Sequence, residues 1–427
     1  MLNKKLSKYN VEILSIGTEI LLGDIVNTNS KWIAEELAKL GLDHFRQTTI
    51  GDNKYRISEI VKEISLRCNL LITTGGLGPT PDDLTTEAIA NTFNTQIVER
   101  KYLLEEIKKK LSISKSNLNK SNIKKQCFFP ADAAIINNSK GTAPGMIWNP
   151  KKNFTIMTFP GVPSELKSMW KDSAYEYIKK NFSNGEIFFS ETIKFSGVSE
   201  STVAEKINYL LTLNNPTVAP YANLGELKLR ITAKAKNRAE AKKIIKPIKE
   251  ELKTKFGNFI FGEGKDNLPS VIIKELSKRN QSIVFAESCT GGLLSASLTS
   301  ISGASEVFKG SIISYNNSMK ERLLNVPHNL LLEYGAVSKQ VAEAMATGVK
   351  KNLESDWAIA ISGIAGPNGG TKDKPVGLVY IAIAGPENKI INFKKIFKVN
   401  RNRKEIQRLS VNECLNSLRL ILLSIEK

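Results

Sequence analysis

The chain has 427 residues, with 61 Lys and Arg against 42 Asp and Glu, which gives a formal net charge of +19 at pH 7. This length suits two or three domains, and a 41% hydrophobic content lets each of them bury a core. No apolar run approaches the roughly 20 residues that span a bilayer, and the N-terminal segment lacks the pattern of a secretory signal. We therefore expect a cytoplasmic protein without membrane contact.

The positive charge is spread along the whole chain. A nucleic-acid footprint requires a clustered basic patch, so we do not expect direct nucleic-acid binding. The cysteines are far apart and lack the paired spacing of a zinc site or a disulfide framework. They are Cys68, Cys127, Cys289 and Cys414. This cysteine usage also fits a reducing cytoplasm.

The first part of the chain alternates predicted strands and helices. Apolar periodicity predicts strands at Val11–Ile16, Phe45–Ile50 and Leu70–Thr73, and helices at Asn29–Leu40 and Ile57–Leu66. This alternation predicts a mostly parallel sheet with helices on both faces. Ligands of such sheets bind beyond the carboxyl ends of the strands, where the glycine-containing loops of this segment lie.

The pattern changes between Ile187 and Gly264. Glu226–Ala235 alternates polar and apolar residues like a half-exposed strand, and Arg238–Lys255 has the periodicity of a lysine-rich helix. These features predict a small α+β module. The Gly-rich and polar segment Gly257–Asn267 is the predicted boundary to the next domain.

Strand–helix alternation returns beyond Leu268. The predicted elements are helices at Pro269–Arg279, Gly292–Thr299, Ser338–Asn352 and Arg403–Ile425, and strands at Ser282–Ala286, Phe308–Ser314, Trp357–Ile361, Val376–Ala384 and Ile390–Val399, the last two as an antiparallel pair. The chain is thus predicted as α/β: two three-layer α/β domains with mainly parallel or mixed sheets, joined by the small α+β module.

The loop Thr73–Thr85, TTGGLGPTPDDLT, follows a predicted buried strand. Glycines at this place let backbone N–H groups surround an anion, and the next helix adds its dipole. Asp82 and Asp83 have two interpretations. They can cap the helix, or they can hold Mg²⁺ that bridges a carboxylate and a phosphate.

The segment Ile283–Ala296, IVFAESCTGGLLSA, places three candidate nucleophiles at the end of a strand. Cys289 is intrinsically the strongest, and a helix N-terminus would favour its thiolate. Ser288 and Thr290 are alternatives, and both also rank high as helix caps.

A Ser-His-Asp triad is not expected, because His44 lies in the first domain and His328 follows Val326-Pro327 in a predicted surface turn. Serine can instead be activated by a lysine whose pKa is lowered by burial.

Several segments of residues 9–175 together resemble the molybdopterin-binding domain of molybdenum-cofactor biosynthesis proteins, in the version found at the front of the CinA family. They are Gly17–Gly23, Asn27–Asn29, Gly51–Asn53, Gly75–Thr85, Gly141–Gly145 and Pro160–Glu165. The resemblance implies that Gly75, Gly76 and Gly78 bind a phosphate-bearing ligand. It also implies that Asp83, with Asp82, binds a divalent metal such as Mg²⁺, and that Asp52 is a second acidic position at the ligand. Some CinA proteins are described as ADP-ribose pyrophosphatases.

The middle segment is similar to the KH-like connector of CinA proteins. The Gly-x-x-Gly loop with which KH domains hold nucleic acid is missing between Ile187 and Phe261. We therefore interpret the module as a structural connector.

The segment from Leu268 onward resembles the CinA C-terminal domain, which also occurs alone as nicotinamide-nucleotide amidase. The segments that carry this resemblance are Ala286–Gly292, Gly303–Ser305, Gly310–Lys320, Gly335–Ser338, Ile361–Gly370 and Lys374–Gly377. It favours Ser288 as the nucleophile and implies Lys320 as its base, Tyr315 as a proton relay and Ser362 as a further site residue.

The same resemblance implies that Thr290, Gly291 and Gly366 contact the substrate and that Arg403 binds its phosphate. Members often have Gly-Asp-Arg where this chain has Arg401-Asn402-Arg403, so Arg401 is an alternative to Arg403. Glu287 is expected to be structural, because a serine–lysine pair leaves it no evident catalytic task.

The leading hypothesis is a nicotinamide mononucleotide deamidase in domain 268–427, with no cofactor needed at that site. The alternatives are a metal-dependent ADP-ribose pyrophosphatase or molybdopterin-type nucleotide site in domain 9–180, and a non-enzymatic adaptor in competence or DNA damage. The connector is predicted at 185–262. The expected partners are small nucleotides, and the resemblance implies a homodimer.

Overall fold

The computed structural model describes residues 9–114, 120–397 and 400–425. The chain divides into two compact units. One contains the chain up to Phe189 together with Ala233–Lys243, and the other contains Ser190–Thr232 and the chain from Ile244 onward. The predicted domain limits 9–180, 185–262 and 268–427 stay a prediction.

Eight strands are described in the first unit before residue 180. They are β1 Val11–Ile16, β2 His44–Ile50, β3 Leu70–Thr74, β4 Ile97–Glu99, β5 Phe128–Pro130, β6 Ala134–Ile136, β7 Gly145–Lys151 and β8 Phe154–Phe159. The helices are α1 Thr18–Leu21, α2 Thr28–Lys39, α3 Lys54–Ser65, α4 Thr85–Thr92, α5 Lys101–Ser114, α6 Lys120–Lys125, α7 Pro163–Met169 and α8 Tyr175–Phe182.

The main sheet of this unit has the order β2-β1-β3-β8-β7-β6. Strand β1 pairs in parallel with β2 and β3, and β3 with β8, whereas β7 and β6 are antiparallel. The sheet is therefore mixed, with its parallel strands together on one side, which agrees with the predicted mainly parallel or mixed sheets. Every residue of β1, β3 and β8 is buried, because the continuous apolar runs are covered by helices on both faces. The carboxyl ends of the four parallel strands consequently lie along one edge.

The small sheet consists of β9 Ile187–Phe195, β10 Thr217–Asn223, β11 Glu226–Ala235 and β12 Ile260–Glu263, in the order β10-β11-β9-β12. Its helices are α9 Glu200–Lys206 and α10 Arg238–Phe256. The predicted alternation in β11 is confirmed. Within the predicted boundary segment Gly257–Asn267, Ile260–Glu263 forms a strand that pairs with β9 and buries Phe261.

The last part of the described chain contains strands β13 Ile283–Glu287, β14 Phe308–Ile313, β15 Trp357–Gly363, β16 Leu378–Ala384 and β17 Ile390–Ile396. Its helices are α11 Leu268–Lys278, α12 Leu293–Thr299, α13 Asn317–Leu324, α14 His328–Tyr334, α15 Lys339–Asn352 and α16 Arg403–Ile425. Lys398 and Val399, which end the predicted strand Ile390–Val399, lie outside the described residues.

This sheet has the order β14-β13-β15-β16-β17, with β13 parallel to both neighbours and β16–β17 antiparallel as predicted. Alternate residues of β13 enter two cores. Phe285 packs with residues of α11, α12 and α16 on one face, and Val284 packs with residues of α13 and α15 on the other. The prediction of a three-layer α/β arrangement is confirmed. No helix in the described ranges is long and apolar enough to cross a membrane.

Candidate functional site

The turn that follows β13 is anchored by the last residue of the strand. Glu287 is fully buried, and its carboxylate accepts hydrogen bonds from the N–H groups of Gly292, Leu294 and Ser295 at 3.0, 3.1 and 2.8 Å. A buried carboxylate is stabilised at a helix N-terminus by these donors and by the helix dipole. Glu287 thus has the structural role that was predicted.

The alternative in which Ser288 or Thr290 caps helix α12 is wrong. The helix begins at Leu293, and its N-cap residue Gly292, with φ of 101°, makes no side-chain cap. This left-handed conformation suits glycine. Ser288 and Thr290 lie before this cap residue. The first amide groups of the helix are bonded instead by the carboxylate of Glu287.

Ser288 lies at the point where β13 ends. Its N–H group donates to the carbonyl oxygen of Ile361 at 3.0 Å, which fixes the residue against strand β15. Its side chain is held near Lys320, with 3.2 Å between the Ser288 Oγ and the Lys320 Nζ. The predicted nucleophile and the predicted base are therefore within hydrogen-bond distance.

Lys320 is only 1% exposed. Its Nζ also donates to the carbonyl oxygens of Ser314 at 2.7 Å and Tyr315 at 3.4 Å. Burial lowers the pKa of Lys320 to about 8. A neutral amine can donate its two N–H groups to the two carbonyls, which leaves its lone pair for the hydroxyl of Ser288. The arrangement can therefore take a proton from serine near neutral pH.

Cys289 is 6% exposed, and burial raises the pKa of its thiol to about 12. The expectation that the helix N-terminus favours its thiolate is wrong, because the cost of desolvation exceeds the stabilisation by nearby dipoles and cations. Cys289 is thus a protonated thiol in the cavity wall.

An open cavity of about 270 Å³ lies in front of Ser288. Its walls come from the nucleophile turn, the start of α13, the segment before α15, the loop after β15 and the start of α16. The lining residues are Ser288, Cys289, Tyr315, Lys320, Ala336, Val337, Ser362, Gly363, Ile364, Ala365, Gly366, Asn368, Gly369 and Arg403. Thr290 and Gly291 are not among them, so their predicted contact with the substrate stays a prediction.

Arg403 connects two walls of this cavity. Its guanidinium donates to the carbonyl oxygen of Gly366 at 2.8 Å and to the hydroxyl of Tyr315 at 2.6 Å. Arg401 instead lies 3.6 Å from Glu405 and lines a different groove. The geometry therefore favours Arg403 over Arg401 as the cation that faces a ligand near Ser288.

Ser362 lies at the carboxyl end of β15 and is 1% exposed. Its hydroxyl donates to the carbonyl oxygen of Ala336 at 2.6 Å, so its lone pairs remain for a donor from the cavity. His328 is the first residue of α14 rather than part of a turn, and its Nδ1 lies 2.8 Å from Glu321 Oε1, outside the cavity.

Gln407 was not among the site residues expected from the sequence. Its Nε2 donates to the carbonyl oxygen of Cys289 at 2.8 Å. The one signal in the sequence is its spacing, since a residue four positions after Arg403 lies on the same face of a helix.

The first unit contains a cavity of about 490 Å³ at the carboxyl ends of β1, β3 and β8. Gly75, Gly76, Gly78, Asp52, Asp82 and Asp83 all line it, as do Glu19 and Glu165. Gly75 has φ of 105°, and a Cβ there would meet the Ile16 carbonyl oxygen at 2.0 Å. Only glycine permits this close approach of the loop to β1.

The three aspartates of this cavity have different surroundings. Asp52 accepts hydrogen bonds from the N–H and the hydroxyl of Thr18 at 2.8 and 3.0 Å. Asp83 accepts from the N–H of Thr80 at 2.9 Å and from its hydroxyl. Hydrogen bonding from Thr80, together with its own N–H and the charge of Lys125, lowers the pKa of Asp82.

The interpretation of Asp82 or Asp83 as a helix cap is wrong. Helix α4 begins at Thr85, and its N-cap residue Leu84 makes no side-chain cap. No group of three or more His, Cys, Asp or Glu residues suited to a metal is found in the described part of the chain. Mg²⁺ commonly uses one or two carboxylates together with water and substrate phosphate, and Asp82 and Asp83 fit that mode.

Family models match the chain in three places: the probable molybdopterin binding domain at residues 12–180, the damage-inducible protein CinA KH domain at 190–262 and the CinA C-terminal domain at 265–422. A CinA-like protein from Prochlorococcus marinus subsp. pastoris is 70% identical over 417 residues, which cover 98% of this chain and 96% of that protein. This chain belongs to the CinA family.

More distant members of this family are also similar. A CinA-like protein from Prochlorococcus marinus strain NATL1A is 52% identical over 419 residues, covering 98% of this chain and 97% of its own. The crystal structure of the competence/damage inducible protein CihA from Agrobacterium tumefaciens is 35% identical, with a TM-score of 0.35. It covers 36% of this chain and 93% of its own chain.

The lowered pKa of Lys320 predicts a pH-dependent stability. Between about pH 8 and 10.5 the unfolded chain holds a proton on this lysine that the folded chain has lost, so the free energy of unfolding rises with pH. Lys320→Met removes this contribution. We expect the stability of the wild type relative to the variant to rise by on the order of 1 to 3 kcal/mol between pH 7.5 and 10. Urea unfolding at both pH values measures it, and a pH-independent difference would contradict the assignment.

Proposed function

We propose that the C-terminal domain of this CinA family member hydrolyses the carboxamide of nicotinamide mononucleotide, giving nicotinate mononucleotide and ammonia. The observation that carries this proposal is the distance of 3.2 Å between Ser288 Oγ and the buried amine of Lys320. The pairing supplies a nucleophile and a base without histidine. The family resemblance supplies the substrate class.

In the proposed reaction, neutral Lys320 takes the proton of Ser288 as Oγ attacks the carboxamide carbon. The resulting ammonium returns this proton to the amide nitrogen, the C–N bond breaks, and ammonia leaves an acyl ester on Ser288. Water then attacks the ester carbon while Lys320 takes its proton. When the C–Oγ bond breaks, Lys320 gives the proton back to Ser288, and the carboxylic acid product loses its remaining proton to solvent and leaves as the carboxylate.

The remaining cavity residues suit binding of the rest of the substrate. Arg403 keeps further N–H groups besides the two that bond Gly366 and Tyr315, and a guanidinium can hold phosphate through paired hydrogen bonds. The free lone pairs of Ser362 suit the N–H of a carboxamide.

The nucleophile is tested by ammonia release from nicotinamide mononucleotide. We expect Ser288→Ala to lower kcat by about 10³-fold or more, since it removes the attacking oxygen. Cys289→Ala should keep kcat within about threefold, because a thiol with a raised pKa is not the nucleophile. Wild-type activity should rise with pH to a midpoint near 8, the pKa of Lys320. Loss of activity in Cys289→Ala alone would move the role to the thiol.

Arg403 and Arg401 are distinguished by a matched pair of substitutions. Arg403→Lys should raise KM by about tenfold or more with a smaller change in kcat, because lysine cannot form the paired contact with phosphate. Arg401→Lys should leave KM within about twofold, since Arg401 lines another groove. Equal effects of the two substitutions would contradict the assigned phosphate site.

A second activity is favoured by the cavity of the first unit, where Asp52, Asp82 and Asp83 line the edge at which parallel strands end. We propose metal-dependent hydrolysis of a nucleotide pyrophosphate such as ADP-ribose. Bound Mg²⁺ would neutralise phosphate charge, and Asp82 and Asp83 would hold it. Release of AMP should require Mg²⁺ and fall by about 10²-fold or more in Asp83→Asn. Hydrolysis that survives both chelation and this substitution would overturn the proposal.

A further inference from the structure

Helix α16 contacts the candidate active site at two points that lie one turn apart. Arg403 donates to the carbonyl oxygen of Gly366, in the loop after β15. Gln407 donates to the carbonyl oxygen of Cys289, in the turn that carries the nucleophile. The same helix face therefore holds two opposite walls of the cavity.

The contact of Gln407 completes the anchoring of the nucleophile turn. The N–H of Ser288 is bound to the Ile361 carbonyl, and the Ser288 carbonyl accepts from the Gly291 N–H at 3.2 Å. Without the hydrogen bond from Gln407, the carbonyl of Cys289 would lack the kind of contact that holds the carbonyl of Ser288. A trans peptide is planar, so binding this carbonyl also fixes the direction of the Thr290 N–H.

The N–H groups of Cys289 and Thr290 differ in their partners. Over the described ranges, the N–H of Thr290 has no hydrogen-bond acceptor, and the N–H of Cys289 is bonded to no group except the thiol of Cys289 itself. Attack by Ser288 on a carbonyl creates an oxyanion beside these residues, and preorganised N–H donors stabilise such a charge. A change in the orientation of the turn should therefore affect the free energy of the transition state more than that of the bound substrate.

We propose that Gln407 is a positioning residue for the hydrolysis. Its amide holds the Cys289–Thr290 peptide, and with it the N–H of Thr290, in the orientation that the oxyanion requires. The inference rests on the proposed amidase function and adds a residue that touches neither the substrate nor the reacting atoms.

The test replaces the amide donor while keeping the length of the side chain. Gln407→Met should lower kcat by about 10- to 100-fold and leave KM within about twofold, because the interaction acts in the transition state. The midpoint of the pH profile should stay near 8, since the surroundings of Lys320 are unchanged. Gln407→Lys, which restores an N–H donor, should recover part of kcat. Gln407→Glu keeps the shape of the side chain but removes its N–H donor. It replaces Gln407→Met in the test if that variant does not fold.

The matched control is Asn412→Leu. Asn412 lies on the same helix, and its side-chain amide also donates to a backbone carbonyl, that of Leu224 at 3.3 Å, away from Ser288. If Gln407 only stabilised the fold, both variants would lower the melting temperature and leave kcat of the folded protein unchanged. That result would overturn the inference.

A second readout separates this inference from the proposed substrate. A fluorophosphonate forms a bond between phosphorus and the serine Oγ and releases fluoride, passing through an oxyanion at phosphorus. Intact mass at timed intervals gives the labelling rate, with Ser288→Ala as the blank. We expect Gln407→Met to be labelled about tenfold more slowly. If the wild type is labelled but releases no ammonia, the proposed substrate is wrong and the labelling rates alone decide the role of Gln407. Equal labelling rates of the wild type and Gln407→Met would overturn the assignment of Gln407 as a positioning residue.

Discussion

The burial of one amine is the constraint on which the C-terminal site depends. Lys320 lies beneath the surface beside two backbone carbonyls, and water cannot compensate its charge there. The fold tolerates this cost because α13 and α15 pack against the sheet and leave the amine directed at Ser288. Desolvation of the ammonium group costs stability, and the lowered pKa leaves a larger fraction of Lys320 as the neutral amine near neutral pH, the form that can accept a proton from serine. The side chain of Lys320 therefore links the stability of the fold to the proposed reactivity of Ser288.

The sheet provides the rigid part of this arrangement. Ser288 directly follows β13, and Ser362 lies near the end of the neighbouring parallel strand β15, so both are at the edge where the carboxyl ends of these strands meet. Glu287 ties the first of these strands to helix α12. Helices α13 and α16 then bring Lys320 and Arg403 to the same edge.

Much of the architecture could be predicted from the sequence, because strands such as Glu226–Ala235 and the helix Arg403–Ile425 have clear periodicity. The pairing of Lys320 with Ser288 followed from the family resemblance, since no local pattern joins residues 32 positions apart. Two features could not be predicted from the sequence, for physical reasons. Strand Ile260–Glu263 is short and lies in a Gly-rich segment, so its sheet partner decides its conformation. Gln407 acts through a carbonyl 118 positions away, which only the fold reveals.

The order of the site residues along the chain has a consequence for biosynthesis. Ser288, Lys320 and Ser362 leave the ribosome before Arg403, which joins Gly366 to Tyr315. A growing chain can therefore form the parallel strands while the cavity still lacks one wall. The proposed hydrolytic activity should therefore be acquired late, after helix α16 docks. Until then the incomplete domain would contain Ser288 but would lack the guanidinium of Arg403, the proposed phosphate-binding group.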